Sequence, residues 1–153
     1  MKIVFYIIII LVALILGSSV YMAFSSRSNP PALGITNNQF AACPDSPNCV
    51  SSDAEGPDHG FPTLALTADA EWSAIVAQVK QTDGVTVTEE SADYLRAEAR
   101  TPLFGYVDDL ELHHRSGQLA LRSSSRVGHS DMGANRKRLT DLQDRLKAEG
   151  LIQ

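Results

Sequence analysis

The chain has 153 residues and a formal net charge of −5, and 44% of its residues are hydrophobic. That length holds one domain plus an extension. The acidic balance, with no aromatics interleaved among the basic residues, argues against a nucleic-acid binder, and no GxxxxGK[ST] run is present to form a nucleotide P-loop.

Residues 3–24 carry no charge and almost every one is apolar. Crossing a bilayer takes roughly 20 such residues, whereas a cleaved secretory signal has an apolar region of about 7–15. A transmembrane anchor or signal-anchor is therefore expected over 1–24. Gly17-Ser18-Ser19 is the small-residue step where cleavage would fall in the other case. Lys2 precedes the run and Arg27 follows it, so the positive-inside rule favours a cytoplasmic N-terminus and a domain outside the cytoplasm. No Cys follows the run closely, so a lipoprotein anchor is not indicated. Residues 25–32, polar and containing Pro30 and Pro31, read as a tether. The domain is expected over 33–153.

Residues 33–66 are rich in turn formers, show no long periodic element, and are expected to wrap over the domain, with a short strand near 63–66. Residues 68–82 predict a helix capped by Thr67: Trp72, Ile75, Val76 and Val79 recur on one face. Four strand-like runs follow at 85–90, 93–100, 107–115 and 118–124, the last two joined by the hairpin turn Ser116-Gly117. Alternation places Leu95, Ala97, Ala99, Leu110, Leu112, Leu119 and Leu121 on one face. Arg96, Glu98, Arg100, Asp109, Glu111, His113 and Arg122 take the other. A second helix is predicted over 134–149 from Leu139, Leu142 and Leu146, capped by Ser130 or Asp131. The expected fold is α+β: a two-layer domain with an antiparallel sheet of about four strands and two helices on its leucine face. The charged face is left to solvent or a partner.

Charge is segregated along the chain. Residues 40–111 hold 14 acidic against 3 basic residues, and residues 115–147 hold 8 basic against 3 acidic. Pairing between the two halves is the simpler expectation, and a basic surface for an acidic partner the sharper one.

Two polar motifs carry the candidate chemistry. In Cys43-Pro44-Asp45-Ser46-Pro47-Asn48-Cys49 the cysteines flank five residues. Outside the cytoplasm a disulfide Cys43–Cys49 is the natural reading, stabilising by about 2–3 kcal/mol. Zinc would need further ligands at short spacing, and redox motifs usually separate their cysteines by two residues. The second motif, residues 122–138, joins the last strand to the last helix. Ser124, Arg126, Ser130, Asp131, Asn135 and Arg136, together with Asp108 and Asp109, are the candidate ligand or partner contacts. Backbone amides at a helix start, hydroxyls and guanidinium groups make a cradle for a phosphate, sulfate, carboxylate or lipid headgroup. The competing explanation is that Arg126 pairs with Asp108 or Asp109 while the serines cap the helix. Asp108, Asp109, Glu111, His113 and His114 could form a metal or acid–base cluster, but a charge ladder on an exposed sheet face explains them without chemistry and is the preferred reading. Ser123, Ser124 or Ser125 with His129 lack a G-x-S-x-G context.

The chain resembles the bacterial and plastid family known as domain of unknown function fourteen-ninety-nine. The resemblance rests on Leu33-Gly34, residues 43–52, Tyr94-Leu95, residues 104–111 and residues 122–138. It covers most of the chain beyond the anchor, in order. It implies membrane anchoring or export, which is common in similar proteins, but no activity. His129 and Ala134 look like variants of the pattern.

The functional expectation is a membrane-anchored envelope protein acting as a binding or assembly module for an anionic ligand or a protein partner. The alternative is a small extracytoplasmic enzyme, a hydrolase, using Asp109, His113 or His129. A purely structural envelope protein is a third possibility. No cofactor and no metal are expected. The expected partners are the membrane, through the N-terminal helix, and an anionic small molecule or envelope protein. The expected location is the bacterial inner membrane, single pass, with the domain in the periplasm.

Overall fold

The computed structural model describes residues 2–28 and 30–153. It opens with helix α1 (Lys2–Ser28). Among the described residues α1 is the one helix long and apolar enough to cross a membrane, a property shared by anchors and signal sequences. Its N-terminal two-thirds is exposed, but Ser19, Ala23 and Ser26 are buried. These fall at i, i+4 and i+7, on one face, and small side chains there let a helix approach its neighbour closely.

The helix continues through 25–28, which composition assigns to a tether. Specific bonds hold that last turn. The Val107 N–H donates to Ser26 Oγ (3.2 Å), and Arg126 Nη1 donates to the Ser26 carbonyl (3.0 Å). Arg27 donates from Nε and Nη2 to the carbonyls of Gly105 and Phe104 (3.0 and 2.9 Å). Gly105 has φ +64°, and a Cβ there would collide with the Arg27 guanidinium.

A small hairpin follows, β1 (Ile35–Thr36) and β2 (Gln39–Phe40), turning at Asn37 and Asn38, both with positive φ. Then come β3 (Cys49–Ser51), the short helix α2 (Gly56–His59), β4 (Leu64–Ala65) and α3 (Trp72–Lys80). The meander is β5 (Val85–Glu90), β6 (Tyr94–Arg100), β7 (Val107–Arg115) and β8 (Gln118–Ser125), and α4 (Ala134–Ala148) ends the fold. The meander strands lie within a residue of their expected limits. Ser116 and Gly117 both take positive φ in the β7–β8 turn, as a tight two-residue hairpin requires.

The sheet has six strands rather than four. Its order is β3-β8-β7-β6-β5, with β4 also on β8, and every pairing is antiparallel. Strands β3 and β4 are three and two residues long, too short to show an alternating pattern. Both complete the outer edge of β8. Helix α3 starts at Trp72, not near 68, because Thr67 is engaged elsewhere: its N–H and hydroxyl donate to the carbonyls of Leu151 and Gly150.

Helices α3 and α4 cover the leucine face. Ile75, Val79, Leu95, Leu110, Leu112, Leu119, Leu121, Leu139, Leu142 and Leu146 form its centre, all at 2% exposure or less. Full burial of each such side chain contributes about 1.5–3 kcal/mol.

The opposite face departs from expectation. Asp109, Glu111 and Arg122 are buried, with Glu111 at 0% exposure. The N-terminal segment covers them. Phe40 packs with Tyr94 and Ala120, and Ile35 adds to that small cluster. Arg115 lies 5.1 Å from the Phe40 ring centroid. Further along, Arg96 Nη2 donates to the Pro31 carbonyl and the Gly34 N–H to Glu111 Oε1. The wrapping segment therefore closes the charged face as a second, polar interior.

Candidate functional site

On this covered face each acid meets an arginine. Asp109 Oδ1 accepts from Arg96 Nη2 and Arg126 Nη2 (both 2.8 Å), and its Oδ2 from Arg126 Nε (2.8 Å). Arg126 Nη2 also donates to Glu98 (2.8 Å). Glu111 accepts from Arg122 Nη1 (2.9 Å), the Tyr94 hydroxyl (2.7 Å) and Gly34 (3.1 Å). Arg115 makes a two-pronged pair with Asp53 (2.6 and 2.7 Å). On the leucine face Arg138 pairs with Asp108 (2.7 Å). The acidic first half thus pairs with the basic second half, inside the protein. The cross-strand ladder is real, but it is buried rather than exposed.

These neighbours shift the titrations. The hydrogen bond from Arg115 holds the Asp53 carboxyl below its ordinary range, against the opposing effect of burial. Burial, with Glu111 alongside, pushes the Tyr94 hydroxyl far above its ordinary value. Burial and the nearby Arg115 lower the His113 imidazole. The hydrogen bonds to Asp109 and Glu98 raise Arg126.

The 122–138 segment forms a second network, centred on Asn135, which is 0% exposed. Its amide nitrogen donates to the Asn48 carbonyl and Ser125 Oγ (both 2.9 Å). Its Oδ1 accepts from Ser123 and Arg138 (both 2.6 Å). Asn48 in turn donates to the Gly128 carbonyl (2.6 Å). The start of α4 is capped from within: Asp131 accepts the N–H groups of Gly133 (3.0 Å) and Asn135 (2.7 Å), and Ser130 Oγ accepts from the Met132 N–H. The amides expected to cradle an anion therefore already hold a carboxylate of the chain itself. Arg136 donates to the carbonyls of Gly60, Pro57 and Asp58, tying α4 to α2. Cys43 and Cys49 are joined in a disulfide with a Cα–Cα distance of 5.6 Å. The bridge fixes the loop beside the edge strand β3.

The residues named for acid–base or metal chemistry are dispersed. Asp109 and Glu111 are committed to arginines, His113 Nδ1 lies 2.9 Å from Arg115 Nε, and His114 stacks on Trp72. Ser123 and Ser125 bond to Asn135, while His129 is exposed. Among the described residues no three His, Cys, Asp or Glu side chains converge as a metal site.

One arginine on the covered face has capacity left. Arg122 is 4% exposed and its Nε is buried without a hydrogen-bond partner among the described residues. It lines a pocket of about 170 Å³ together with Pro31, Leu33, Asp109, Ser124 and Arg126. Sequence reasoning put Arg122 on the charged face but not among the contacts. Alternation reveals a shared face; it does not reveal which guanidinium nitrogen is left over once the pairs form.

Fold and site together define an α+β domain with one apolar and one ion-paired interior, carried on an apolar N-terminal helix. The chain belongs to the family described as protein of unknown function (DUF1499), whose model matches residues 39–146. That span includes both polar motifs and the whole meander. No curated protein matches the chain, and no solved structure does.

Proposed function

We propose that the protein is a single-pass inner-membrane protein with its N-terminus in the cytoplasm and its domain in the periplasm, and that the domain is a binding module for a small anion. The apolar helix and the disulfide support membrane attachment and an oxidising compartment. The observation that carries the binding proposal is the unpartnered, buried Nε of Arg122, a residue that lines a small pocket of mixed polarity. A buried guanidinium nitrogen without an acceptor is costly, and a carboxylate or phosphate oxygen relieves that cost with a charge-assisted bond. Ser124 offers a hydroxyl on the same sheet face, and Arg126 adds positive charge. Asp109 also lines the pocket, but both its oxygens are engaged by arginines. A volume near 170 Å³ suits a small oxyanion, since drug-sized ligands occupy about 300–1,000 Å³.

Thermal unfolding of the full chain in detergent, in phosphate, sulfate, acetate or chloride at matched ionic strength, tests this. One oxyanion should raise the midpoint with a concentration dependence that saturates. Arg122→Lys should lose the rise, because lysine keeps a charge for Glu111 but has no second donor edge. Ser124→Ala should weaken it. Equal responses in wild type and Arg122→Lys would dismiss the site.

A further inference from the structure

A larger cavity, of about 500 Å³, lies on the side of the domain that meets α1. Its wall is predominantly apolar and comes from three places: Met22 of α1, the β6–β7 loop with Leu103 and Phe104, and the β8–α4 loop with Val127 and Met132. Leu103 is 82% and Met132 99% exposed. Among the described residues they are the two large hydrophobic side chains outside α1 that stand exposed, and both line this one cavity. Scattered single exposures are ordinary; a pair flanking an apolar cavity is a patch that needs a partner.

The position of α1 says what that partner is. A helix rises about 1.5 Å per residue and the hydrocarbon layer is about 30 Å thick, so about 20 residues of α1 cross it. Counted from Lys2, the outer boundary of the hydrocarbon falls at Met22. The cavity therefore opens at the level where acyl chains begin. The docking of Arg27, about 7.5 Å along the helix from Met22, onto the carbonyls of Phe104 and Gly105 holds the loop carrying Leu103 just outside this boundary, with Leu103 and Met22 lining the same cavity. The Phe104 and Tyr106 rings, 5.6 Å apart, add aromatic surface of the kind enriched at membrane interfaces.

We infer that this cavity takes up an acyl chain of a lipid from the surrounding bilayer, with Leu103 and Met132 inserted beside its mouth. The volume falls in the range of small-molecule pockets. The continuity of the wall with the membrane helix favours a bilayer lipid over a soluble apolar ligand or a second copy of the chain. The Arg122 pocket lies under the N-terminal segment, and the two cavities share Ser125 in their walls but otherwise have different linings.

The test uses the full chain in nanodiscs of phosphatidylethanolamine and phosphatidylglycerol doped with a phosphatidylcholine that carries a diazirine in mid-acyl chain. After illumination, crosslinked peptides are mapped by mass spectrometry. Adducts should appear on the peptides containing Leu103 and Met132 as well as on α1. Leu103→Asp with Met132→Asp should cut adducts on both loops by at least about tenfold, because burying each large apolar side chain is worth more than one decade of binding. Both positions are exposed, so the fold should persist, with unchanged Trp72 emission as the check. Val127→Trp, which fills the cavity, should remove adducts from the β8–α4 loop while leaving those on α1. Adducts confined to α1, loop adducts indifferent to all three substitutions, or chain-to-chain contacts occupying Met132 would each overturn the inference.

Discussion

Glu111→Ala is the sharpest probe of the covered face. The carboxylate is 0% exposed and accepts three hydrogen bonds, from Arg122, Tyr94 and Gly34. Removing it leaves the Arg122 guanidinium, with 5% side-chain exposure, as an uncompensated buried charge. That alone costs about 3–5 kcal/mol. The Tyr94 hydroxyl and the Gly34 N–H lose their acceptor as well, at about 1 kcal/mol or more each, although the losses overlap. A total near 4–5 kcal/mol follows from these magnitudes. For a domain of this size about 4 °C of melting temperature is lost per kcal/mol, so the midpoint should fall by roughly 15–20 °C. The double variant Glu111→Leu with Arg122→Met removes both charges and should cost far less than Glu111→Ala alone, because no ion is stranded. Urea unfolding of the full chain in detergent, followed through Trp72, the single tryptophan, measures both variants. A loss below about 1 kcal/mol in Glu111→Ala would mean that water reaches the pair. A double variant no more stable than Glu111→Ala would mean that packing, not charge, sets the cost. Either result would refute the account of this face as a buried, ion-paired interior.

Reducing the Cys43–Cys49 bridge should destabilise the domain by about 2 kcal/mol, the value for so short a loop, with loosening centred on β3; melting with and without a thiol reductant checks it. Stability should also depend on pH in two windows. The Asp53 carboxyl is depressed below its ordinary value of 3.8, so its contribution is present above that pH and is lost as the pH falls through the lower folded value. The His113 imidazole is depressed below 6.5, so its contribution is complete above pH 6.5 and declines with acidification toward its folded value. Asp53→Asn should flatten the first window, and His113→Gln the second, in midpoints measured across a pH series.

Much of this architecture is legible in the residues. Leu95, Leu110, Leu112, Leu119 and Leu121 declare their face by strict alternation, and Ser116-Gly117 marks the tightest turn. Leu139, Leu142 and Leu146 outline the last helix. The missed elements share a physical cause. Strand β3 is too short to carry a period, and its partner is a neighbouring edge rather than its own pattern, whereas β4 falls inside the short strand expected near 63–66. The hairpin over the charged face had one local signal, Asn37-Asn38 between Ile35 and Phe40, since asparagine tolerates positive φ. What it would cover is a tertiary fact. For the candidate contacts, residue type marks where polar groups gather. It does not tell which are consumed internally, as Asp131 is by α4 and Arg136 by α2.

The continuous helix between the apolar run and the sheet has a mechanical consequence. Ser26 and Arg27 are bonded directly to the domain, so at this joint there is no slack for the domain to swing on. Held in a bilayer, it would keep a set height and tilt, presenting the same side to the lipid at all times. Encounters with other membrane-held molecules would then take place in the membrane plane. Such a domain sweeps an area rather than a volume, and a weak affinity suffices where neighbours share the same surface.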